Sequence, residues 1–369
     1  MIVHLFDDQK FVDITINNFD KINSSINRYI VFSNSNKLKY VRNTDRVFVL
    51  NNSSYKINHE IIFKDCNLLV IHFLTPLKSY IIKKAPPNVR ILWSAWGADF
   101  YDMHHEYNIY ENLTKRLILK NNLFQFRKLS IYNFYHLLKY RVLPIKNENQ
   151  VLSKIEYLST VLPNEYDLIT KRFSFNPKYI DFNYGINDFD NPNQYSLGNK
   201  VLIGNSATYS NNHLDVFKKI KNSNCEFICP LNYGGQDYKQ YQKLIMQNGI
   251  FYFKNKIDFL TEFLELEKYN NILLECNSAI MFHIRQQALA NIFKLLFLGI
   301  RLFLNRKSIL YNYFLDQGAI IFNLDDDISL LGKELNIEEK NKNKLFVMKL
   351  RGKKVIEKKY QNIIDLHNI

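Results

Sequence analysis

Cysteine is rare in this sequence. The chain has four cysteines in 369 residues, at Cys66, Cys225, Cys229 and Cys276. So few thiols in so long a chain are typical of reduced core residues and exclude a disulfide framework. Cys225 and Cys229 lie close together, but they lack a second Cys or His pair at the spacing of a zinc site, so we expect no structural metal.

Long hydrophobic runs and a secretory leader are also missing. The longest apolar segment, residues 292–304, is short and contains Lys294 and Arg301, which argues against a membrane-spanning helix there. The chain begins with a few apolar residues followed by Asp7 and Asp8, with no basic leader and no cleavage site. We therefore expect a cytoplasmic location.

Acidic residues are absent from residues 112–147, within a chain whose formal charge is +14. The basic residues of this stretch alternate with leucine, phenylalanine and tyrosine, and they are Lys115, Arg116, Lys120, Arg127, Lys128, Lys139, Arg141 and Lys146. An amphipathic basic segment of this kind suits an anionic membrane surface. Attraction of nucleic acid and a solvated helix face over ordinary core remain open as alternatives.

The order of predicted elements indicates parallel sheets wrapped by helices. In the second half, the predicted strands are 201–203, 225–229, 250–253, 271–275, 300–304 and 319–322, and the predicted helices are 212–222, 237–248, 257–268, 280–298 and 307–317. In the first half, the predicted strands are 2–6, 28–33, 47–50, 67–73 and 89–95, and a largely helical insertion follows at about 105–160.

The chain is long enough for two α/β domains. We predict an N-terminal Rossmann-like domain at 1–185, a C-terminal Rossmann-like domain at 186–340 and a basic helical tail at 341–369. The predicted fold class is α/β, with the two domains facing each other across a cleft. Ligands of such folds bind beyond the carboxyl ends of the strands, so the loops there should carry the chemistry.

The turn at residues 204–212 is the most informative of these loops. It joins an apolar strand to a helix whose first N–H groups lack helical partners and attract anions. We expect Asn212 to cap this helix and Asp215 to complete a variant of the capping box. The turn therefore predicts a phosphate site; the plainer alternative is that its polar residues merely cap a helix.

Further polar segments follow other predicted strands. They are Trp96-Gly97-Ala98-Asp99, Pro230 to Gly234, Arg285-Gln286-Gln287 and Lys307-Ser308. Together with Gly204-Asn205-Ser206 and Ser210 to His213, these segments resemble the bacterial TDP-4-acetamido-4,6-dideoxygalactose transferases of glycosyltransferase family 56. The resemblance implies a metal-independent glycosyltransferase of the GT-B type that acts on a lipid-linked sugar and holds its nucleotide sugar mainly in the C-terminal domain.

In this interpretation the donor diphosphate is bound by helix N-termini, amides and cations. The residues assigned to nucleotide-sugar binding are Gly204, Asn205, Ser206, Asn211, Asn212, His213, Tyr233, Gly234, Arg285, Gln286, Gln287, Lys307 and Ser308. The residues assigned to the acceptor or the membrane are Trp96, Lys115, Arg116, Lys120, Arg127 and Lys128. No metal and no cofactor are expected.

Asp99 is the predicted catalytic base. It follows a Trp-Gly turn at the end of a predicted strand, where burial beside aromatic rings makes a carboxylate more basic. A structural turn or cap aspartate is the alternative. Asp7, Asp8 and Glu106 are reserve candidates. Because one base is visible and no second carboxylate is evident for a covalent intermediate, we expect inversion at the anomeric carbon.

The sequence thus predicts a cytoplasmic glycosyltransferase that is peripheral on the inner membrane. Its expected donor is a TDP- or UDP-linked deoxyamino sugar, and its expected acceptor is a polyprenyl-diphosphate-linked saccharide of bacterial surface glycan synthesis. Nucleic acid is not an expected partner. A non-catalytic basic protein that binds membranes or nucleic acid on the same fold is the alternative from a different class, and a nucleotide-sugar epimerase is a third.

Overall fold

The structure is a computed structural model and describes residues 1–35, 37–42, 44–51, 59–101, 109–122, 149–184, 195–235 and 238–368. The strands of these residues are β1 (Ile2–Asp7), β2 (Asn27–Ser33), β3 (Val47–Asn51), β4 (Leu68–His72), β5 (Arg90–Ser94), β6 (Tyr157–Ser159), β7 (Lys178–Tyr179), β8 (Lys200–Ile203), β9 (Phe227–Pro230), β10 (Ile257–Leu260), β11 (Cys276–Met281) and β12 (Arg301–Leu304). Their α-helices are α1 (Val12–Asn23), α2 (His59–Phe63), α3 (Pro76–Lys84), α4 (Ala98–Tyr101), α5 (Asn112–Asn122), α6 (Asn149–Leu152), α7 (Asn164–Phe173), α8 (His213–Ile220), α9 (Tyr238–Phe253), α10 (Leu266–Leu274), α11 (Leu289–Phe297), α12 (Ile309–Asp316), α13 (Ile337–Arg351) and α14 (Lys353–His367).

The first of two compact units holds the described residues within 1–105, 124–186 and 353–369. Its described strands form one parallel sheet in the order β3-β2-β1-β4-β5-β6-β7. β1 and β4 are buried almost throughout, as expected for apolar strands covered on both faces. Phe19 of α1 packs edge to face on Tyr360 of α14, with ring centroids 4.7 Å apart, and both rings belong to the core.

The second unit holds the described residues within 106–123 and 187–352. Its described strands form a second parallel sheet in the order β10-β9-β8-β11-β12. Phe253 of α9 packs on Phe217 of α8 and on Phe227 of β9, with centroids 5.3 and 4.6 Å apart. The predicted Rossmann-like organisation of both halves is confirmed.

In each parallel sheet, the loops that follow the strands all lie at the same edge, where the carboxyl ends of the strands are. In the second sheet, β9, β8, β11 and β12 are consecutive neighbours, so the loops that follow them leave from adjacent positions. In the first sheet, the same holds for β1, β4 and β5. These two carboxyl edges therefore contain most of the residues that the sequence analysis singled out.

Several predicted elements of the second half are wrong. The strand predicted at 319–322 is only an isolated bridge between Phe322 and Phe303, and the helix predicted at 280–298 begins as β11 and is helical only from Leu289. The strand predicted at 250–253 is the end of α9, the helix predicted at 257–268 starts as β10, and the strand predicted at 271–275 is the end of α10. The predicted helix at 237–248 ends before Gly249, but α9 continues through Gly249 to Phe253. A Cβ at Gly249 would lie 2.6 Å from Cζ of Phe259. Glycine thus permits close packing of α9 on β10.

The compact units also differ from the predicted domain boundaries. Residues 109–122, assigned to the first domain, belong to the second unit, where α5 packs against α8. The predicted tail at 341–369 is divided: α13 packs against α11 in the second unit, and α14 packs against α1 in the first. Within the predicted helical insertion, residues 157–159 form β6, and residues 123–148 lie outside the described residues.

Candidate functional site

The turn that follows β8 is built around Gly204. This residue has a φ of +68°, a left-handed conformation that glycine adopts without strain. A Cβ at this position would lie 2.7 Å from Oδ1 of Asn211 and 2.9 Å from Nε2 of His213. The chain therefore needs glycine here both for the backbone conformation and for the close approach of two buried side chains.

Asn211 closes this turn on itself. Its Oδ1 accepts a hydrogen bond from the backbone N–H of Asn205 at 3.1 Å. Its Nδ2 donates to the backbone oxygen of Ser206 at 2.9 Å and to Oγ1 of Thr208 at 2.8 Å. Asn205, Ser206 and Asn211 are all at most 5% exposed, so their side chains fix the shape of the turn from within.

The loop between β11 and α11 joins the same network. Gln287 Nε2 donates to Oδ1 of Asn205 at 3.1 Å and to Oγ1 of Thr208 at 3.2 Å, while its Oε1 accepts from Oγ of Ser210 at 2.5 Å. The helix predicted at 280–298 includes Arg285, Gln286 and Gln287, but these residues precede α11 and lie in the loop. The structure therefore brings Gln287 to the turn from a loop, and its predicted contact with the nucleotide sugar stays a prediction.

His283 is a member of this network that sequence reasoning missed. Its Nε2 lies 3.0 Å from Oδ1 of Asn211 and 3.2 Å from Oδ1 of Asn205. Burial, and to a lesser extent electrostatic interactions with Arg285 and His213, lower the pKa of His283 to about 3. The ring is therefore neutral at pH 7, and two acceptors at Nε2 require the proton to be on that nitrogen. A single histidine just after a strand carries no spacing signal that identifies it.

The loop that follows β9 borders the turn from the other side. Asn205 Nδ2 donates to the hydroxyl of Tyr233 at 2.8 Å, and the backbone N–H of Ala207 donates to the carbonyl of Tyr233 at 2.7 Å. A Cβ at Gly234 would lie 2.4 Å from the carbonyl oxygen of Ala207, so glycine allows this close contact. Tyr233 is 46% exposed and forms an open border of the network.

The predicted capping box of α8 is wrong. Asn212 has a φ of +53° and makes no side-chain cap; its Oδ1 instead accepts from the backbone N–H of Glu111 at 2.9 Å. Asp215 accepts from the backbone N–H groups of Leu113 and Thr114 at 2.8 and 3.0 Å, so it caps α5 from a neighbouring helix. Asn212 and Asp215 therefore both accept hydrogen bonds from backbone N–H groups at the start of the α5 segment.

His213 lies beneath the turn and is fully buried. Its Nδ1 lies 3.1 Å from the hydroxyl of Tyr241, and burial lowers the pKa of His213 to about 3. The ring is therefore neutral at pH 7. Its predicted contact with phosphate stays a prediction; in the structure His213 supports the turn at Gly204.

Lys307 follows β12 and pairs with a carboxylate from the start of the α5 segment. Its Nζ lies 3.0 and 3.1 Å from the two oxygens of Glu111, which also accepts from Nδ2 of Asn305 at 2.9 Å. Burial opposes ionisation of Glu111, but the hydrogen bonds from Asn305 and Lys307 outweigh it and lower the pKa of the carboxyl. Ser308 caps α12 by accepting from the N–H of Leu310 at 3.3 Å. The Lys307 side chain remains 65% exposed.

In the first unit, Asp99 is buried and surrounded by N–H donors. Its Oδ2 accepts from the N–H of Leu74 at 3.0 Å and from Nε1 of Trp93 at 2.9 Å, and its Oδ1 accepts from the N–H of Trp96 at 2.9 Å. Burial raises the pKa of Asp99, as expected for a carboxylate beside aromatic rings, and these hydrogen bonds offset part of the rise. The carboxylate holds two loops in place, and its catalytic role stays a prediction.

Trp96 lies in an aromatic cluster beside Asp99. Its ring packs edge to face on Tyr184, Phe11 and Phe73, with centroids 4.5, 5.6 and 6.0 Å apart, and its Nε1 donates to the Tyr184 hydroxyl. The Tyr184 hydroxyl also lies 2.5 Å from Nδ1 of His72. The predicted role of Trp96 in binding the acceptor is not tested by these contacts.

The predicted basic surface is described in part. Lys115, Arg116 and Lys120 lie on α5, where Arg116 and Lys120 are exposed. Arg127 and Lys128 lie outside the described residues, as does the reserve candidate Glu106. Among the helices that are described, none is long and apolar enough to cross a membrane.

Comparison with solved structures identifies the fold class. A glycosyltransferase from Rickettsia africae superposes with a TM-score of 0.65 at 12% identity, covering 100% of this chain and 98% of that one. HepE from Anabaena, in complex with UDP and glucose, gives a TM-score of 0.63 at 9% identity, covering 100% and 99%. Trehalose-6-phosphate synthase OtsA gives a TM-score of 0.62 at 9% identity, covering 100% and 99%. The fold is the GT-B fold of glycosyltransferases.

The family follows from the sequence match. The model of the 4-alpha-L-fucosyltransferase family, glycosyl transferase group 56, matches residues 122–342, which is more than half of the chain. The chain belongs to this family and is a glycosyltransferase, so the predicted family and enzyme class are confirmed.

Proposed function

We propose that this glycosyltransferase moves a deoxyamino sugar from a TDP- or UDP-linked donor to a polyprenyl-diphosphate-linked saccharide, with inversion and without a metal. The observation that carries the proposal is the network of Asn205, Asn211 and Gln287 at the carboxyl ends of β8 and β11. Such edges of parallel sheets are where nucleotide ligands bind. HepE, which shares the fold, has been solved with UDP and glucose.

The second unit offers donors and charges suited to a diphosphate. The buried amides fix the turn at Gly204, while Tyr233, Gln287 and Arg285 at its border stay partly exposed. Arg285 Nε has no hydrogen-bond partner among the described residues, and Lys307 adds a second cation at the same edge. Cations and oriented N–H groups stabilise the negative charge that develops on a departing diphosphate, which is the task a metal performs in other transferases.

A ligand screen tests the donor. Purified protein is heated with UDP-, TDP-, GDP- and CMP-linked sugars in the presence of a chelator, and the unfolding temperature is compared with that of the free protein. A ligand at a hundred times its Kd stabilises the folded chain by about 2.7 kcal/mol, so a TDP- or UDP-linked sugar should raise the melting temperature clearly. No shift with any nucleotide sugar would refute the proposed donor class.

The acceptor is tested by mass spectrometry. The donor that stabilises the protein is incubated with a short-chain polyprenyl-diphosphate-linked saccharide, and a mass increase by one glycosyl unit is expected. Product formed without any acceptor would indicate an epimerase instead. Oligonucleotide binding that weakens steeply with salt, without glycosyl transfer, would favour the non-catalytic alternative.

Membrane docking by α5 is the remaining part of the proposal. The triple change Lys115→Gln, Arg116→Gln and Lys120→Gln should weaken sedimentation with vesicles that contain anionic lipid, because each basic residue near such a surface contributes about 1 kcal/mol. The matched control replaces three exposed lysines of other helices and turns of the same unit, Lys218, Lys221 and Lys239, with Gln. Equal binding of both triple variants would show that net charge, and not α5, governs docking.

A further inference from the structure

Asp7, at the carboxyl edge of the first sheet, has one carboxylate oxygen that accepts no hydrogen bond from the described residues. Asp7 is the last residue of β1, an interior strand that lies between β2 and β4 in that sheet. Its Oδ2 accepts a hydrogen bond from Nζ of Lys78 at 2.6 Å, and the side chain is 24% exposed. Its Oδ1 has no hydrogen-bond partner among the residues that the structure describes. One oxygen of Asp7 is thus held, and the other is available to accept a proton.

Lys78 is a fully buried cation whose three N–H groups all have acceptors. Besides Asp7, its Nζ donates to the backbone oxygens of His72 at 2.6 Å and Phe73 at 3.1 Å. Burial lowers the pKa of Lys78, and the charge of Asp7 opposes that effect. An ammonium group is rarely buried completely, and when it is, it requires a partner of opposite charge.

The contacts of Lys78 also hold an unusual backbone conformation. Phe73 has a φ of +63°, which is a genuine outlier for a bulky residue. Conformations of this kind persist where the surroundings fix them, and they concentrate at functional sites. A buried charge and an unfavourable backbone conformation therefore occur together next to Asp7.

Three other aspartates near this edge, within the described residues, use both oxygens to accept hydrogen bonds from N–H groups of the fold. Both oxygens of Asp99 accept from N–H groups, and the residue is 1% exposed. Asp8 accepts from the backbone N–H groups of residues 39, 40 and 41. Asp13 accepts from the backbone N–H of Arg42 through both of its oxygens. These aspartates position loops, whereas Asp7 has an oxygen left for chemistry.

We propose that Asp7 is the general base of the transfer reaction and that Lys78 is its positioning residue. This inference rests on the proposed function, and it gives Asp7 the role that the sequence analysis gave to Asp99. The O–H bond of the acceptor hydroxyl breaks as its oxygen bonds to the anomeric carbon of the donor sugar. The bond from that carbon to the diphosphate oxygen breaks, and its electron pair leaves with the nucleoside diphosphate. The proton goes to Oδ1 of Asp7 and then to solvent.

The test compares Asp7→Asn, Asp7→Glu and Asp99→Asn with wild type in the transfer assay, using the nucleotide sugar that stabilises wild type and the polyprenyl-diphosphate-linked saccharide. Asp7→Asn should lower kcat by about 10²- to 10⁴-fold, the usual range for a general base, while the melting-temperature shift caused by the donor stays within the wild-type range. Asp7→Glu keeps a carboxylate and should recover part of kcat. Asp13→Asn is the matched control at the same edge and should keep kcat within about threefold of wild type.

The pH profile separates a base from a merely structural residue. The acidic limb of kcat/KM for wild type reports ionisation of the base, so it should disappear in Asp7→Asn. Lys78→Met removes the ammonium group that holds Oδ2 of Asp7, so kcat should fall with little change in KM. A structural role of Asp7 would lower activity at all pH values and leave the limb in place.

The outcomes distinguish the inference from the function on which it rests. If wild type neither binds a nucleotide sugar nor transfers one, the proposed function fails and the inference fails with it. If wild type is active and Asp7→Asn keeps kcat within about threefold, Asp7 is not the base. The same conclusion follows if Asp99→Asn folds, binds donor and loses the acidic limb while Asp7→Asn retains it.

Discussion

Replacing Gly204 with alanine tests whether the turn that follows β8 has the constraint that the structure shows. The substitution imposes a side chain on a residue with a φ of +68°, which costs about 1–2 kcal/mol for an L-residue. The new Cβ would also lie 2.7 Å from Asn211 and 2.9 Å from His213, both buried. Overpacking of this kind costs about 1–3 kcal/mol more, so the total is about 2–5 kcal/mol.

Gly318 provides a matched control in the same unit. Its φ is +84°, so alanine meets a comparable backbone penalty, but nothing lies within 4 Å of the position that the Cβ would take. Gly318→Ala should therefore cost about 1–2 kcal/mol. The difference between the two variants, about 1–3 kcal/mol, isolates the contact of the turn with Asn211 and His213.

Urea denaturation measures both free energies of unfolding, and the donor-induced shift in melting temperature measures the site. Gly204→Ala should lose most of that shift because Asn211 must move, whereas Gly318→Ala should keep it. Equal destabilisation by the two substitutions would refute the close packing around Gly204. Equal donor shifts would refute the assignment of this turn to the nucleotide sugar.

Three further predictions concern buried polar groups. Asp99→Asn places an NH₂ group against N–H donors and should destabilise the chain by about 2–3 kcal/mol in urea denaturation; a loss below about 0.5 kcal/mol would contradict the structural role. Asp215→Ala removes the acceptor for two backbone N–H groups and the Thr114 hydroxyl, so amide exchange at the start of α5 should accelerate, and unchanged protection there would argue against the cap. Burial lowers the pKa of both His213 and His283 to about 3, so the unfolded chain binds more protons than the folded chain below pH 6.5. The free energy of unfolding should therefore be highest above pH 6.5 and should fall by about 1.4 kcal/mol per pH unit for each ring as the solution is acidified towards pH 3. Urea midpoints that do not change between pH 7 and 5 would contradict burial of these neutral rings.

The sequence predicts the fold best where a single physical effect dominates. β1, β4 and β8 are largely apolar runs of strand length, and burial on both faces of a parallel sheet favours such runs. The strand-turn-helix at 201–213 is predicted for the same reason, because Gly204 and the polar residues after it end the apolar run. Around Gly249, two effects compete: glycine is typical of helix ends, but here it allows a helix to approach Phe259.

The site is less predictable because its decisive contacts connect distant parts of the chain. Asp215 caps a helix about a hundred residues earlier in the sequence, and Lys307 pairs with Glu111 across 196 residues. Local spacing suggests a cap for Asp215 and a solvated side chain or a phosphate contact for Lys307. His283 belongs to the network through two asparagines that follow another strand. Such contacts are determined by which strands are neighbours in the sheet, and no local pattern specifies that order.

The choice between Asp7 and Asp99 shows the same limit at the level of single atoms. Both aspartates lie at the carboxyl ends of largely apolar strands at one edge of a parallel sheet, so strand position alone favours neither as a base. The two carboxylates differ in the number of hydrogen bonds that they accept. Asp99 accepts three from N–H groups, through both oxygens, and Asp7 accepts one from the ammonium group of Lys78. A carboxylate whose lone pairs are already occupied can take up a proton only by breaking bonds that hold the fold. Asp7 can accept the proton without breaking such bonds, and this is the physical reason for preferring it.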